Sequence, residues 1–309
     1  MGLRAAAALC CLLGVALSMA CSPATPVTAP PVPPPAPGEA EGHGEEDGPA
    51  AAGPAQADGP AQGTTDLAVV LPGKRICLDP GHDANSPGAA ARDASGRVIF
   101  DEHVLTLEVA YRLKPLLEAE GFSVCVTRTP DGSPVVRPRD ENGNGRVEGW
   151  ERAQAKIDYI NAFGAHVLVS IHFNGISDPS VRGTEVYYSD TGPHEAGNRS
   201  LASNLLESLV AAIRSAGYQV ADRGIRSDNY KPYGRLWILG HNDQLARKAL
   251  WEAGALVEVL FLTNPDDVGF LQRPDALDVI ARGLREGIVR YWSAAHPPPD
   301  QARRPASPP

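Results

Sequence analysis

The chain has 309 residues, a formal net charge of −9 and 29 unevenly distributed prolines. That length could hold two average domains, but with composition this uneven, length alone overcounts them. No basic run is longer than a pair, which argues against a nucleic-acid partner, because phosphate binding leaves a basic footprint.

Residues 1–20 carry one positive charge, an apolar stretch too short to span a bilayer comfortably, and small residues near their end. They read as a secretory leader. The next residue is Cys21, and L-S-M-A-C resembles a bacterial lipobox, in which that cysteine is lipidated and becomes the mature N-terminus. Ser18 stands where that pattern usually has Leu. The alternative is an ordinary cleaved leader followed by an incidental cysteine. The lipobox reading makes the protein exported and lipid-anchored in the cell envelope. Ser22, in place of Asp, points the anchor to the periplasmic face of an outer membrane. Residues 21–72 are Pro, Ala, Gly and acidic residues that could bury no core, so they read as a disordered tether. Fully extended, such a tether reaches on the order of 100 Å. Residues 296–309 read as a disordered Pro-rich tail.

Between them, residues 73–295 alternate two patterns. Short apolar runs at 75–78, 122–127, 167–172, 184–188, 236–239 and 255–261 predict strands. Longer periodic stretches at 102–120, 149–163, 195–216, 243–253 and 275–292 predict helices, with Pro115 expected to kink or interrupt the first. The alternation predicts a single α/β domain, its mostly parallel mixed sheet covered by helices on both faces. No internal repeat is evident. Cys77 and Cys125 each fall in a predicted buried strand. Export would allow them to oxidise to a disulfide, but buried cysteine more often acts as a small hydrophobe, and that reading is the one expected here.

Four segments carry residues suited to chemistry. I-C-L-D-P-G-H-D stops a strand at a Pro-Gly turn and presents His82 just past its end, where open α/β sheets bind ligands. G-R-V-I-F-D-E puts Glu102 at a helix start, V-L-V-S-I-H-F-N ends a strand near His172, and A-L-V-E-V-L-F-L-T-N-P-D-D holds Glu258 in an apolar run. Two histidines and a carboxylate at strand ends suit a catalytic zinc with its fourth position left for water. A further carboxylate could take that water's proton. Singly, each residue has a plainer reading: a loop or core histidine, a helix N-terminal charge, a buried salt-bridge partner.

Taken together, L-D-P-G-H, G-x-x-x-x-x-E, S-I-H-x-N and L-V-E-V-x-F-L-x-N-P resemble the zinc-dependent N-acetylmuramoyl-L-alanine amidases of the AmiC/CwlV type (amidase family 3). T-R-T-P-D at Arg128, E-R-A at Arg152, R-G-T-E-V-Y-Y at Gly183 and R-G-I-R at Gly224 follow in the family's order, so the resemblance covers essentially the whole domain. It implies one catalytic Zn2+ held by His82, Glu102 and His172, with Glu258 as the catalytic glutamate. It also implies a peptidoglycan substrate cut between the lactyl group of N-acetylmuramic acid and L-Ala of the stem peptide, for cell-wall remodelling or daughter-cell separation. It leaves room for an activator protein as partner. The alternatives are an inactive peptidoglycan-binding or regulatory homologue and a zinc peptidase acting on stem peptides. Two departures from the family stand out: Leu260 where Gly is usual beside the glutamate, and a longer segment before the last strand, whose His241 is expected to face solvent.

Within 139–151, D-E-N-G-N-G-R-V-E-G-W-E matches the ligand spacing of an EF-hand loop without its incoming helix. Asp140, Asn142, Asn144, Arg146 (through its backbone carbonyl) and Glu151 would supply oxygens to one structural Ca2+. N-G-N-G is also ordinary turn chemistry; the terminal Glu151 favours the calcium reading.

Overall fold

The computed structural model describes residues 73–230 and 234–297. The leader 1–20, Cys21, the tether 21–72 and all of the tail beyond residue 297 lie outside the described residues. β1 (Lys74–Pro80) is followed by the hairpin β2 (Ala90–Arg92) and β3 (Val98–Asp101), then by α1 (Glu102–Ala119). Next come β4 (Phe122–Val126), α2 (Gly149–Phe163), β5 (Val167–Asn174), β6 (Thr184–Tyr188), α3 (Glu195–Ser215) and β7 (Asp222–Ser227). The short strands β8 (Asn229–Tyr230) and β9 (Gly234–Arg235) lead through a 3-10 turn (Trp237–Leu239) to β10 (Ala253–Phe261), α4 (Pro265–Leu271) and α5 (Ala276–Ala295).

Six strands make one sheet in the order β4-β1-β5-β10-β6-β7. β4, β1, β5 and β10 run parallel, β6 is antiparallel to β10, and β7 is parallel to β6. The sheet is therefore mixed and mostly parallel, as the alternation of patterns predicts. Because side chains alternate faces along a strand, each strand serves two layers. Ile76, Leu78, Val167, Val169, Ile171, Ala255, Val257 and Val259 join a large core with α1, α3 and α5. Cys77, Cys125 and Leu168 point the other way, towards Ile157 and Ile160 of α2 and towards Leu245, Ala249 and Trp251. On that second face the residues nearer the strand C-terminal ends are polar: Asp79, Ser170, His172 and Glu258.

The helices of 102–120, 149–163 and 195–216 form within a residue of their expected ends, and α1 runs on through Pro115 without interruption. Two expectations are corrected. The run at 236–239 is not a strand; Trp237–Leu239 turns as a 3-10 helix, closed by Gly240 at φ 80°. Residues 243–252 are not helical either. Leu245, Ala249 and Trp251 are buried in the cluster with Ile157 and Ile160 of α2, Leu250 stays exposed, and two polar side chains of α2 satisfy the segment's backbone instead of an internal helix. Gln154 accepts from the Arg247 N–H (3.1 Å) and donates to its carbonyl (3.1 Å), while Asn161 bonds the Lys248 carbonyl (2.9 Å) and the Leu250 N–H (3.0 Å). Their apolar spacing reflects burial on a shared surface, which resembles helical periodicity without requiring it. The β2–β3 hairpin and α4 carry too short a pattern to be seen in the sequence, and β7 (D-R-G-I-R-S) has only one apolar residue; α4 is started by Asn264, whose side chain accepts from the N–H groups of Asp266 and Asp267.

Cys77 and Cys125 are a second kind of correction, since they form a disulfide and are not free small hydrophobes. They are direct partners in neighbouring strands β1 and β4, with Cα atoms 4.5 Å apart, inside the range a disulfide can bridge. The bond ties the edge strand β4 to the sheet and closes a loop of 48 residues, which by chain entropy stabilises the fold by about 4 kcal/mol. Replacing both cysteines by Ala should lower the melting temperature by roughly 8–16 °C at this domain size, read by calorimetry; a shift of less than 2 °C would mean the bridge constrains little.

Candidate metal centre

β1 ends in Pro80 and a turn anchored by the Gly81 N–H, which donates to the Ile171 carbonyl of β5 at 2.9 Å. The next residue, His82, is the one non-glycine described residue with positive φ, at 60°. The left-handed conformation is costly for a side chain bearing Cβ. Here it swings the imidazole back over the strand ends. His82 Nδ1 lies 3.1 Å from the Ser86 carbonyl, which fixes the ring and keeps a proton on that nitrogen, so Nε2 faces Glu102 Oε2 at 3.4 Å.

Glu102 is the first residue of α1, where the positive end of the helix dipole favours a carboxylate. It is 2% exposed, and every oxygen is engaged. Oε2 accepts the Ala89 N–H at 2.8 Å; Oε1 accepts the Phe173 N–H at 2.9 Å and His172 Nδ1–H at 3.0 Å. Burial alone would push the Glu102 carboxyl up, but the hydrogen bond from His172, the charges of both histidines and the Phe173 N–H hold it below its ordinary value. Burial pushes His172 down, yet the bond and charge of Glu102, with Glu258 and Asp79 nearby, raise its imidazole above the ordinary value. Two glycines make room for this packing. A Cβ on Gly81 would overlap the His172 ring, and one on Gly88, at φ +75°, would overlap the Glu102 carboxylate and His82.

One ligand atom each from His82, Glu102 and His172 can be chosen so that all lie within 4.8 Å of one another, and no other such His/Cys/Asp/Glu group occurs among the described residues. Tetrahedral zinc with bonds near 2.0–2.1 Å sets its ligand atoms about 3.3 Å apart. His172 Nδ1 lies 3.0 Å from Glu102 Oε1 and His82 Nε2 lies 3.4 Å from the other oxygen, Oε2, so each imidazole is near that spacing from the carboxylate, though through different oxygens. The N/N/O donor set also suits zinc, provided His172 gives up its shared proton. Glu258, the fourth sequence candidate, is brought alongside: its Cα pairs with that of His172 on one side and of Glu185 on the other.

The supporting roles of several residues cannot be read locally, even for Arg128 in its T-R-T-P-D motif, because their partners are distant in the chain. Arg128 is 2% exposed and donates to backbone carbonyls next to two of the candidate ligands, His103 (2.8 Å) and Gly81 (3.4 Å). Thr106 reinforces the Gly81 carbonyl at 2.8 Å. Beneath His172, buried Asp79 receives Thr127, Ser170 and Lys156 at 2.5, 2.9 and 3.0 Å. His241 is half-buried, its ring against Gly192, rather than facing solvent.

The loop 139–151 is closed by its own backbone. Asp140 accepts the N–H groups of Gly143 (2.7 Å), Asn144 (3.1 Å) and Gly145 (2.7 Å). Asn142 and Asn144 each accept from the residue two places on, the latter from the Arg146 N–H. Glu151 is fully buried and accepts from Glu141 and Asn142, and it forms a capping box with Glu148 at the start of α2.

Comparison with known proteins gives a consistent result. Residues 76–290 match the family profile Amidase_3, described as N-acetylmuramoyl-L-alanine amidase. The chain is 28% identical over 231 residues to the germination-specific N-acetylmuramoyl-L-alanine amidase of Bacillus subtilis, covering 74% of this chain and 84% of that one. It is 26% identical over 224 residues to the probable cell wall amidase LytH of Staphylococcus aureus, covering 72% of this chain and spanning 60% of LytH. Among solved structures, the CwlD amidase of Clostridioides difficile in complex with the GerS lipoprotein shares the fold, at TM-score 0.54 and 23% identity over 72% of this chain and 99% of that one.

The glycine next to the ligands offers a direct check. Gly88→Ala should fold with a loss of about 1–2 kcal/mol from its left-handed backbone, while zinc affinity, measured by chelator competition, falls 10-fold or more. Unchanged affinity would separate the cradle from the metal.

Proposed function

The chain belongs to the N-acetylmuramoyl-L-alanine amidase family, and on that premise we propose that it is a zinc-dependent peptidoglycan hydrolase using His82, Glu102 and His172 as ligands and Glu258 as catalytic glutamate. The enzyme class follows from the family and its named relatives. One observation carries the finer reading: three candidate donors from separate elements converge within 4.8 Å, with Glu258 on the neighbouring strand in register with His172.

Zinc in this site would act as a Lewis acid, polarising the scissile carbonyl and making the attacking water more acidic. The chain's own residues supply the rest. Ser86 and Glu102 orient the two imidazoles, which stay partly exposed beside the buried Glu102 carboxylate. Glu258 takes a proton from the water whose oxygen bonds to the lactyl carbonyl carbon. It then delivers that proton to the L-Ala nitrogen as the C–N bond breaks, leaving a carboxylate on the glycan and a free amine on the peptide.

Cell-wall relatives imply an exported protein. The L-S-M-A-C stretch supports a lipid anchor at Cys21, with residues 21–72 as a tether and the outer membrane as its site. The solved relative bound to a lipoprotein supports an activator protein as partner. In 139–151 the EF-hand spacing of Asp140, Asn142, Asn144, Arg146 and Glu151 supports one structural Ca2+ that orders the start of α2, taking carboxylate oxygens that here accept backbone N–H groups.

Peptidoglycan sacculi incubated with the zinc-loaded protein should release stem peptides bearing a new L-Ala amine. Chelation should stop this and zinc return restore it. Glu258→Gln should slow release by about 10²–10⁴-fold with zinc still bound. Cleavage inside the stem peptide instead would indicate a zinc peptidase, and a Glu258→Gln variant as fast as the parent would remove that residue from the chemistry. For the loop, calcium at ten times its Kd should raise the melting temperature by about 3–5 °C, and Asp140→Ala should abolish the shift. A shift of equal size in that variant would place the calcium elsewhere.

A further inference from the structure

Beyond Glu258 the sheet carries an array that the hydrolytic reading does not use. Glu185 of β6 lies directly across from Glu258 and is 3% exposed. Its Oε2 accepts the Nε–H groups of both Arg223 and Arg226, each at 2.9 Å. Its Oε1 accepts Asn174 Nδ2 at 2.9 Å and the Tyr187 hydroxyl at 3.1 Å. One buried carboxylate therefore braces two guanidinium groups and can neutralise only one of them. Arg223 lies over the Phe261 ring at 5.0 Å and its side chain is 11% exposed, whereas that of Arg226 is 32% exposed. Arg226 is thus held at Nε while part of its planar fork faces solvent. A guanidinium fixed in this way loses little freedom when it takes a carboxylate.

The order of residues across the strands says which part of a substrate would meet it. His172, Glu258 and Glu185 sit in register on β5, β10 and β6. The scissile carbonyl belongs at the His82, Glu102 and His172 end, and the departing nitrogen at Glu258, which protonates it. The peptide that follows the nitrogen then runs over β6 towards β7. Strands are about 4.8 Å apart, so a guanidinium reaching back from β7 to Glu185 lies about one strand spacing beyond Glu258. One residue of peptide covers about 3.8 Å.

We propose that Arg226, braced by Glu185, binds a carboxylate of the stem peptide one residue past the scissile amide: the α-carboxylate left free when the second residue is a γ-linked glutamate. This rests on the amidase reading for the direction of the peptide. Arg226 then makes the enzyme sensitive to whether that carboxylate is free or has been converted to the carboxamide, and it acts as a specificity residue separate from the hydrolytic group.

Binding of product peptides tests this without turnover. Titration calorimetry would use the zinc-loaded protein with L-Ala-γ-D-Glu-L-Lys and with its α-carboxamide counterpart. The parent should bind the free carboxylate about 10–100-fold more tightly, the range of a charge-assisted hydrogen bond. Arg226→Gln should erase that preference and leave carboxamide affinity within about twofold, since the carboxamide does not use the charge. Arg226→Lys, which keeps the charge without the planar fork, should fall between them and serves if the Gln variant melts early. Equal binding of the two peptides by the parent, no binding of either at millimolar concentration, or a preference that survives in both variants would overturn the proposal. Failure of the sacculus assay with this preference intact would sink the hydrolytic reading and leave the carboxylate subsite standing.

Discussion

The Glu102 carboxylate, almost fully buried, ties four segments of chain together. Through its two oxygens it meets His82 after β1, the Ala89 N–H before the β2–β3 hairpin, and both the His172 side chain and the Phe173 N–H of β5. An ionised carboxylate in a buried place is tolerable only when it is surrounded by donors and opposite charge. The helix N-terminus, two backbone amides and two imidazoles provide that surrounding. The same requirement forces the histidines into one small volume. A site assembled from three distant parts of the sequence is thus kept in shape by the electrostatic needs of one side chain. Arg128 supports it from below by holding the carbonyls of Gly81 and His103.

The second sheet face shows how the fold divides stability from chemistry. Along β5, Val167, Val169 and Ile171 are buried in the helical core, while Leu168, Ser170 and His172 face the other side. Near the strand starts that other side is apolar and covered by α2; towards the strand ends it turns polar, with Asp79, Ser170, His172 and Glu258. The core side therefore anchors the backbone positions from which the polar side projects. Changing the site's chemistry by substitution on one face leaves the packing of the other intact.

Much of this was legible in the sequence where the signal is local. The Pro-Gly stop placed His82, apolar runs placed β1, β5 and β10, and helical periodicity placed α1, α2 and α3 nearly to the residue. What escaped depends on partners far away in the chain. Residues 243–252 carry a helix-like spacing, but Gln154 and Asn161 of α2 take over their backbone bonding. Cys77 and Cys125 look like ordinary buried cysteines until β1 and β4 are known to be neighbours. Glu185, Arg223 and Arg226 stand in two motifs that follow the family's order, but nothing local says that they meet beside Glu258 until the pairing of β6 with β10 and β7 is known.

The strand order has a consequence for how such a protein becomes active. β10, among the last elements made, sits in the middle of the sheet between β5 and β6. A chain emerging N-terminus first can pair β1 with β4 and β5, but β6 and β7 have no sheet to join until residue 261 arrives. Closure of the fold is thus a late, long-range event. The strand that closes it also carries Glu258. A wall-cutting enzyme with this topology has no complete site until β10 has been made; its potency is timed by the arrival of its own final third.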